Sequence, residues 1–223
     1  RISHEIRTPL NAIIGMSYLS LQTDLSGVQR DYLAHINKSG SVLLDMVNRI
    51  LDFSSASEGS MRMERRVFDL PGFLELLRQS VAGTALEKRL LLSVTRAPSI
   101  PSTVAGDERH LEEVLRILLD NAVKYTPKGS TITITTRKEG KWAAVEIADD
   151  GPGIPDDAKP RIFDMFYTAG AHSADSRRSL GLGLALCKSI INAHGGEISV
   201  ADNQPSGTIF RFTLPAEEVT LHA

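Results

Sequence analysis

Four short stretches of this 223-residue chain combine residue types whose spacing could do chemistry. The first, Ser3-His4-Glu5-Ile6-Arg7-Thr8-Pro9-Leu10-Asn11, puts a nucleophilic imidazole, a carboxylate and a hydroxyl on one amphipathic helix. Thr8 lies one turn beyond His4 on the same face, and Glu5 is placed to hydrogen-bond the ring and keep an attacking nitrogen unprotonated. A random surface histidine in a charged helix is the plainer reading of His4. The second stretch, Asp120-Asn121-Ala122-Val123-Lys124-Tyr125-Thr126, places an amide oxygen suited to Mg2+ one turn before an ammonium suited to phosphate. It also reads as an ordinary helix end, with Lys124 balancing the dipole and Pro127 stopping the helix. In the third, Asp149-Asp150-Gly151-Pro152-Gly153-Ile154, a carboxylate at a strand end can accept from the amino group of a purine, or can simply begin a turn. In the fourth, Gly181-Leu182-Gly183-Leu184 opens a helix whose first N–H groups suit phosphate, although Gly-x-Gly alone is also a common flexible loop.

The elements that must position these residues fall into two groups. Tyr32, Ile36, Ser39, Leu43, Met46, Ile50 and Phe53 step by four and three, and Ile2, Ile6, Ile13 and Met16 share that spacing with Pro9 at one seam position. This is a seam for packing on other helices. His4 lies off it, and the Pro9 ring conflicts with the Glu5 carbonyl, which predicts a bend. Asp24 to Gly27 supplies a turn, so two helices form a hairpin with one narrow stripe. A pair of such hairpins buries that stripe as a four-helix bundle, which predicts a homodimer. Ser54 to Ser60 reads as a fraying end or hinge.

Past Arg66 the pattern changes. Helices are predicted over 71–83, 107–125 and after Gly183, and strands over 90–95, 130–137, 141–149, near Ile198 and over 208–214. Leu111, Val114, Leu115, Leu118, Leu119 and Ala122 make an apolar face on the second helix. Adjacent hairpin strands beside a few helices predict a two-layer α/β sandwich, and the whole chain reads as α+β. The small, polar and basic run from Thr168 to Ser179 reads as a lid.

Composition is that of an ordinary soluble globular protein, 42% hydrophobic and 23% charged. A formal net charge of −2 gives no bias toward nucleic acid or an acidic membrane surface. One cysteine, Cys187, excludes an internal disulfide and a cysteine-built zinc site, and fits a reducing, cytoplasmic setting. No apolar run reaches the length of a membrane span. The chain opens inside a helix three residues before His4, which suggests a core excised from a longer parent whose sensing, and any membrane, segments lie upstream. His35, His110, His172, His194 and His222 lack metal-ligand spacing, and His194 before Gly195-Gly196 reads as a helix end.

In this order the four stretches resemble the H, N, G1 and G2 boxes of sensor histidine kinases. Ile162-Phe163-Asp164-Met165-Phe166-Tyr167 resembles the F box, and Gly207-Thr208 the last glycine motif. The lid region from Tyr167 to Leu186 looks most like potassium-responsive sensor kinases, and Ile50 to Ser54 looks like hybrid kinases. The resemblance implies a dimerisation and phosphotransfer domain over 1–66, a catalytic domain of the histidine kinase and Hsp90-like type over 67–218, and a tail over 219–223. It implies that His4 is phosphorylated from Mg-ATP, that Glu5 assists as acid or base, and that Thr8 positions a water for phosphatase chemistry. Asn121 would hold Mg2+ and Asp149 would read adenine. Lys124, Tyr125, Gly151, Gly153, Ile154, Tyr167, Gly181, Leu182, Gly183, Leu184 and Thr208 would line the ATP site. The implied partner is a response-regulator receiver domain, which would take the phosphoryl group on an aspartate. A phosphatase-biased member and a nucleotide-gated scaffold are the alternatives. Three positions depart from the family pattern: Ile117 where the N box has asparagine, Thr168 where many members have arginine, and Leu180 where a hydroxyl is usual.

Overall fold

The structure is a computed structural model and describes residues 2–57, 63–168 and 181–216. It divides into two compact units, Arg1–Glu58 and Gly59–Ala223. Most of the expected lid, residues 169–180 with His172 and Leu180, lies outside the described residues, as do the end of the expected hinge, His222 and the expected tail.

The first unit is a helical hairpin of α1 (Ile2–Leu21) and α2 (Gly27–Ser57). Ser26 and Gln29 form a reciprocal cap at the start of α2. The Gln29 N–H donates to Ser26 Oγ at 3.3 Å, and the Ser26 N–H donates to Gln29 Oε1 at 3.0 Å. α1 runs through Pro9 as one helix, and α2 is helical to Ser57, through most of the expected hinge.

The two helices meet along a stripe that differs from the expected seam. Leu10 and Ser17 are buried on α1, opposite Asn37 and Gly40 on α2. Asn37 Nδ2 donates to the Ile14 carbonyl and to Ser17 Oγ, both at 2.9 Å, and Ser17 Oγ returns to the Ile14 carbonyl at 2.9 Å. At Gly40 a Cβ would stand 2.9 Å from Ile14 Cγ1, so the absent side chain lets the helices close. This inner stripe is polar and small at its centre, and a count of apolar residues passes over it. The expected seam faces outward in the single chain: Ile6, Ile13, Met16, Tyr32, Ile36, Leu43 and Ile50 are 40–70% exposed.

The second unit begins with β1 (Arg66–Asp69), α3 (Leu70–Glu87), β2 (Leu91–Arg96), β3 (Thr103–Gly106) and α4 (Glu108–Tyr125). It continues with β4 (Thr131–Glu139), β5 (Trp142–Asp149), α5 (Gly183–Ala193), β6 (Ile198–Asp202) and β7 (Thr208–Pro215). Five strands form a sheet in the order β2-β4-β5-β7-β6, parallel between β2 and β4 and antiparallel elsewhere. β1 and β3, which the sequence reading did not find, pair as a separate antiparallel ribbon.

Alternation along β4 turns Ile132, Ile134 and Thr136 inward. They meet the apolar face of α4, with Val114, Leu118 and Leu119 fully buried, and Leu186, Ile190 and Ile191 of α5. Ile117 is also buried in this core, so at that departure from the N-box pattern the side chain packs the domain. α3 and α4 start on aspartate caps: Asp69 accepts from the Gly72 N–H at 2.8 Å and Asp107 from the His110 N–H at 3.1 Å.

A larger residue at Gly40 must push the hairpin apart. Gly40→Leu should lower stability by about 1–3 kcal/mol, because overpacking outweighs the helix propensity gained. Thermal unfolding of the whole chain followed at 222 nm checks this, and an unchanged midpoint would show that the helices do not close at Gly40.

Candidate functional site

β5 ends at Asp149, and the sheet register sets β7 beside it. The Asp149 side chain is 7% exposed. Its Oδ1 accepts from the Gly151 N–H at 2.9 Å and the Thr208 N–H at 3.3 Å. Burial pushes the carboxyl up from its ordinary value, the two N–H groups work against that shift, and the charge of Asp150 adds to it. The neighbouring Asp150 turns away to accept from the Thr131 N–H at 3.0 Å. Asn203 Nδ2 donates to the Asp149 carbonyl at 2.8 Å. Gly207 has φ +120, and a Cβ there would stand 1.9 Å from the Asp149 carbonyl oxygen. That contact requires glycine, and it lets β7 begin directly beside the carboxylate.

The C-terminal end of α4 comes to the same place. Thr126 is its C-cap and is buried, with Oγ1 lacking a hydrogen-bond partner among the described residues. That oxygen is 3.6 Å from where a Cβ on Gly151 would stand. Along the last turn Ala122 and Val123 are buried in the core, while Asn121 and Lys124 are half-buried and Tyr125 is half-exposed. Lys124 Nζ donates to Tyr125 Oη at 3.2 Å and lies 4.8 Å from that ring's centroid. Lys88, from the end of α3, donates through Nζ to the carbonyls of Val123 at 2.6 Å and Lys124 at 2.8 Å. Neither Lys88 nor Asn203 carries a local sequence signal, because each acts across a long separation.

Gly153 and Ile154 follow the Asp149 turn, with Ile154 packed on the core. Tyr167 also packs on the core and carries the Arg161 guanidinium 4.5 Å above its ring. The Phe166 N–H donates to the Gly181 carbonyl at 3.1 Å. Gly181 has φ +65, and a Cβ there would stand 2.4 Å from the Tyr167 carbonyl oxygen. Thus Phe166-Tyr167 and Gly181 meet, although 13 residues lie between Tyr167 and Gly181 in sequence. Leu182 is buried and Leu184 is partly buried on the core. α5 starts at Gly183 with no side-chain cap from Leu182, so among the described residues its first N–H groups, which have no intrahelical acceptor, are left without a side-chain cap.

At the opposite ends of α4 and α5, Asp107 and His194 face each other. Burial opposes ionisation of Asp107, but N–H groups of Glu64 and His110 and the His110 ring outweigh it and hold the carboxyl low. His194 is the C-cap of α5, and burial pushes its ring below the ordinary value. Its Nδ1 faces the Ile190 carbonyl at 2.8 Å, so Nε2 is the acceptor for the Asp107 N–H at 3.4 Å. Among the described residues no cluster of three or more histidine, cysteine or acidic side chains can hold a metal.

The helical unit carries Glu5 and Thr8 exposed on α1. His4 lies in the same helix, and its side chain is outside the described residues. Arg7 Nε donates to Asn48 Oδ1 at 2.7 Å, tying this turn to α2. Among the described residues no helix is long and apolar enough to cross a membrane.

Comparison with known proteins agrees with this two-part arrangement. Residues 1–59 match the His Kinase A (phospho-acceptor) domain, and residues 106–218 match the histidine kinase-, DNA gyrase B- and HSP90-like ATPase domain. The sensory/regulatory protein RpfC of Xanthomonas campestris pv. campestris is 35% identical over 219 residues, covering 96% of this chain and 30% of that protein. Sensor protein KdpD of Clostridium acetobutylicum is also 35% identical, covering 97% and 24%. The signal transduction histidine-protein kinase BarA of Escherichia coli is 34% identical, covering 96% and 24%. The chain therefore spans less than a third of these relatives, and their similar identities single out no branch. Among solved structures, full-length ShkA in complex with AMPPNP superposes with a TM-score of 0.85 at 30% identity, covering 96% of this chain and 44% of that one. Histidine kinase ThkA in complex with the response regulator protein TrrA gives 0.65 at 26% identity, covering 97% and 60%. A phosphoacceptor helical hairpin followed by an ATPase sandwich, matched in that order along nearly the whole chain, makes this chain a member of the histidine kinase family.

Proposed function

We propose that the chain transfers the γ-phosphoryl group of ATP to His4 and then to an aspartate of a response-regulator receiver domain. The observation that carries this reading is the Asp149 carboxyl, buried at a strand end and braced by the Gly151 and Thr208 N–H groups beside the α4 terminus. Two oxygens cannot both be satisfied by those N–H groups on Oδ1, so an acceptor remains for the amino group of adenine. Asn121 and Lys124 share the half-buried side of α4, which suits one hard oxygen ligand and one cation toward phosphates. Mg2+ bound there would neutralise charge on the phosphates; one protein oxygen fits a cation that keeps most of its other ligands as water and phosphate. The uncapped amides of Gly183 and Leu184 favour the same negative groups.

In the transfer, a His4 ring nitrogen forms the N–P bond as the bond from the γ-phosphorus to the bridging oxygen breaks. ADP leaves with that electron pair, and Glu5 takes the ring proton. Such transfer is chiefly positioning and charge neutralisation. The exposed seam on α1 and α2 supports a homodimer, since two copies bury it as a four-helix bundle. Thr8, one turn from His4, would position water when phosphoryl is removed from the regulator. The ShkA complex with AMPPNP supports ATP as donor, and the ThkA complex with TrrA supports a response regulator as acceptor. A single cysteine, Cys187, buried and with no second cysteine in the chain to pair with, suits action on the cytoplasmic side, where ATP is available.

Two outcomes are expected. The wild-type chain incubated with Mg2+ and γ-labelled ATP gains acid-labile label, and His4→Gln gains none; equal labelling of the variant would sink His4 as acceptor. Asp149→Asn lowers ATP affinity roughly 10- to 150-fold in titration calorimetry, the range for a hydrogen bond to a charged group. The same variant changes stability in a defined direction. Because the folded-state pKa of Asp149 is raised, the wild-type carboxyl contributes most below its unfolded pKa and loses that contribution as pH rises through the folded value. Stability of Asp149→Asn relative to wild type, without nucleotide, should therefore grow as pH rises from about 4. A flat difference from pH 3 to 8 would contradict the burial argument.

A further inference from the structure

We infer that Lys88 is a positioning residue for nucleotide binding, acting through the last turn of α4; this rests on the reading in which Lys124 and Tyr125 meet ATP. A helix end leaves carbonyls without partners and carries partial negative charge. At the end of α4 the Thr126 N–H satisfies the Ala122 carbonyl at 3.0 Å. The next two carbonyls, Val123 and Lys124, take the Lys88 ammonium at 2.6 and 2.8 Å, and the Thr126 carbonyl lies 3.5 Å from it. One cation therefore closes the segment that presents both Lys124 and Tyr125. It also offsets the negative helix end that a phosphate drawn to Lys124 would otherwise face.

The direction of Lys88 is set by its own backbone. It is the C-cap of α3, followed by Arg89 at φ 55. The Leu90 N–H donates to the Ala85 carbonyl at 2.8 Å and the Arg89 N–H to Leu86 at 2.9 Å, a Schellman end with arginine where glycine is usual. The Lys88 carbonyl accepts from the Gly129 N–H at 3.2 Å, and the Leu91 N–H donates to the Ser130 carbonyl at 2.9 Å. The α3–β2 corner is thus joined to the α4–β4 corner by main chain as well as by the ammonium. The backbone sets where the lysine stem starts, and the carbonyl contacts offset the rotamer entropy that the long side chain loses in making the clamp.

The test compares Lys88→Met, which keeps the stem and removes the charge, with Lys88→Arg, Lys124→Ala, Asp149→Asn and the Lys88→Met/Lys124→Ala pair. Affinity for trinitrophenyl-ATP, the KM and kcat of autophosphorylation, and thermal midpoint are read for each. Lys88→Met should weaken nucleotide binding and raise KM roughly tenfold, with kcat falling much less, and Lys88→Arg should recover most of that loss. Because Lys88 acts through the turn bearing Lys124, the double variant should lose clearly less than the product of the two single losses. Parental affinity in Lys88→Met, or full multiplication in the double variant, would overturn the proposal. Parental affinity in Lys124→Ala and Asp149→Asn as well would overturn the nucleotide site itself, and the role of Lys88 with it. Should Lys88→Met not fold, Lys88→Gln takes its place under the same criteria: weakened affinity at a retained thermal midpoint supports the proposal, and parental affinity overturns it.

Discussion

A carboxylate kept out of water at the end of a central strand is the constraint around which the ATPase unit is arranged. Removing such a group from solvent is costly, and two main-chain N–H groups offset the cost only in part. To bring those N–H groups within reach, the chain must turn sharply after β5, and β7 must start against the turn. The missing side chain at Gly207 and the Asn203 amide on the Asp149 carbonyl meet that requirement. Burial outweighs those two N–H groups, and the carboxyl stays above its ordinary value.

The helical unit divides its two faces between different kinds of side chain. Its inner face closes on a small polar knot of Ser17, Asn37 and the Ile14 carbonyl, with Gly40 alongside. Buried hydrogen-bonded groups of this kind tolerate one longitudinal register, since a slip along the helices leaves the Asn37 amide unpaired. The outer face holds larger apolar side chains, among them Ile13, Met16, Tyr32 and Ile36.

Elements with strong local patterns were readable from residue order. α4 is legible because its apolar residues recur with helical period, and β4 because isoleucine alternates with threonine. Asp149 at a strand end and Gly183 at a helix start also lie where the spacing put them. β1 and β3 were not legible: at four residues each, with mostly exposed or half-exposed positions, they hold their shape through each other. The inner helix stripe escaped notice because serine, asparagine and glycine occupy positions where apolar residues are expected. Lys88 could not have been found at all by local pattern, since its partners lie 35 and 36 residues away. The buried Ile117 shows the reverse case, a departure from a family motif explained by packing.

The meeting of Phe166-Tyr167 with Gly181 ties both ends of the intervening segment to one point beside the sheet. When both ends of an insertion are tied at one point, closure entropy changes slowly with its length, by about 0.6 kcal/mol for each doubling. Substitutions, insertions and exchanges between these two anchors can then accumulate with little effect on the core. Such a junction lets the length of chain between the two anchors change at little cost to the packing of the sheet behind them.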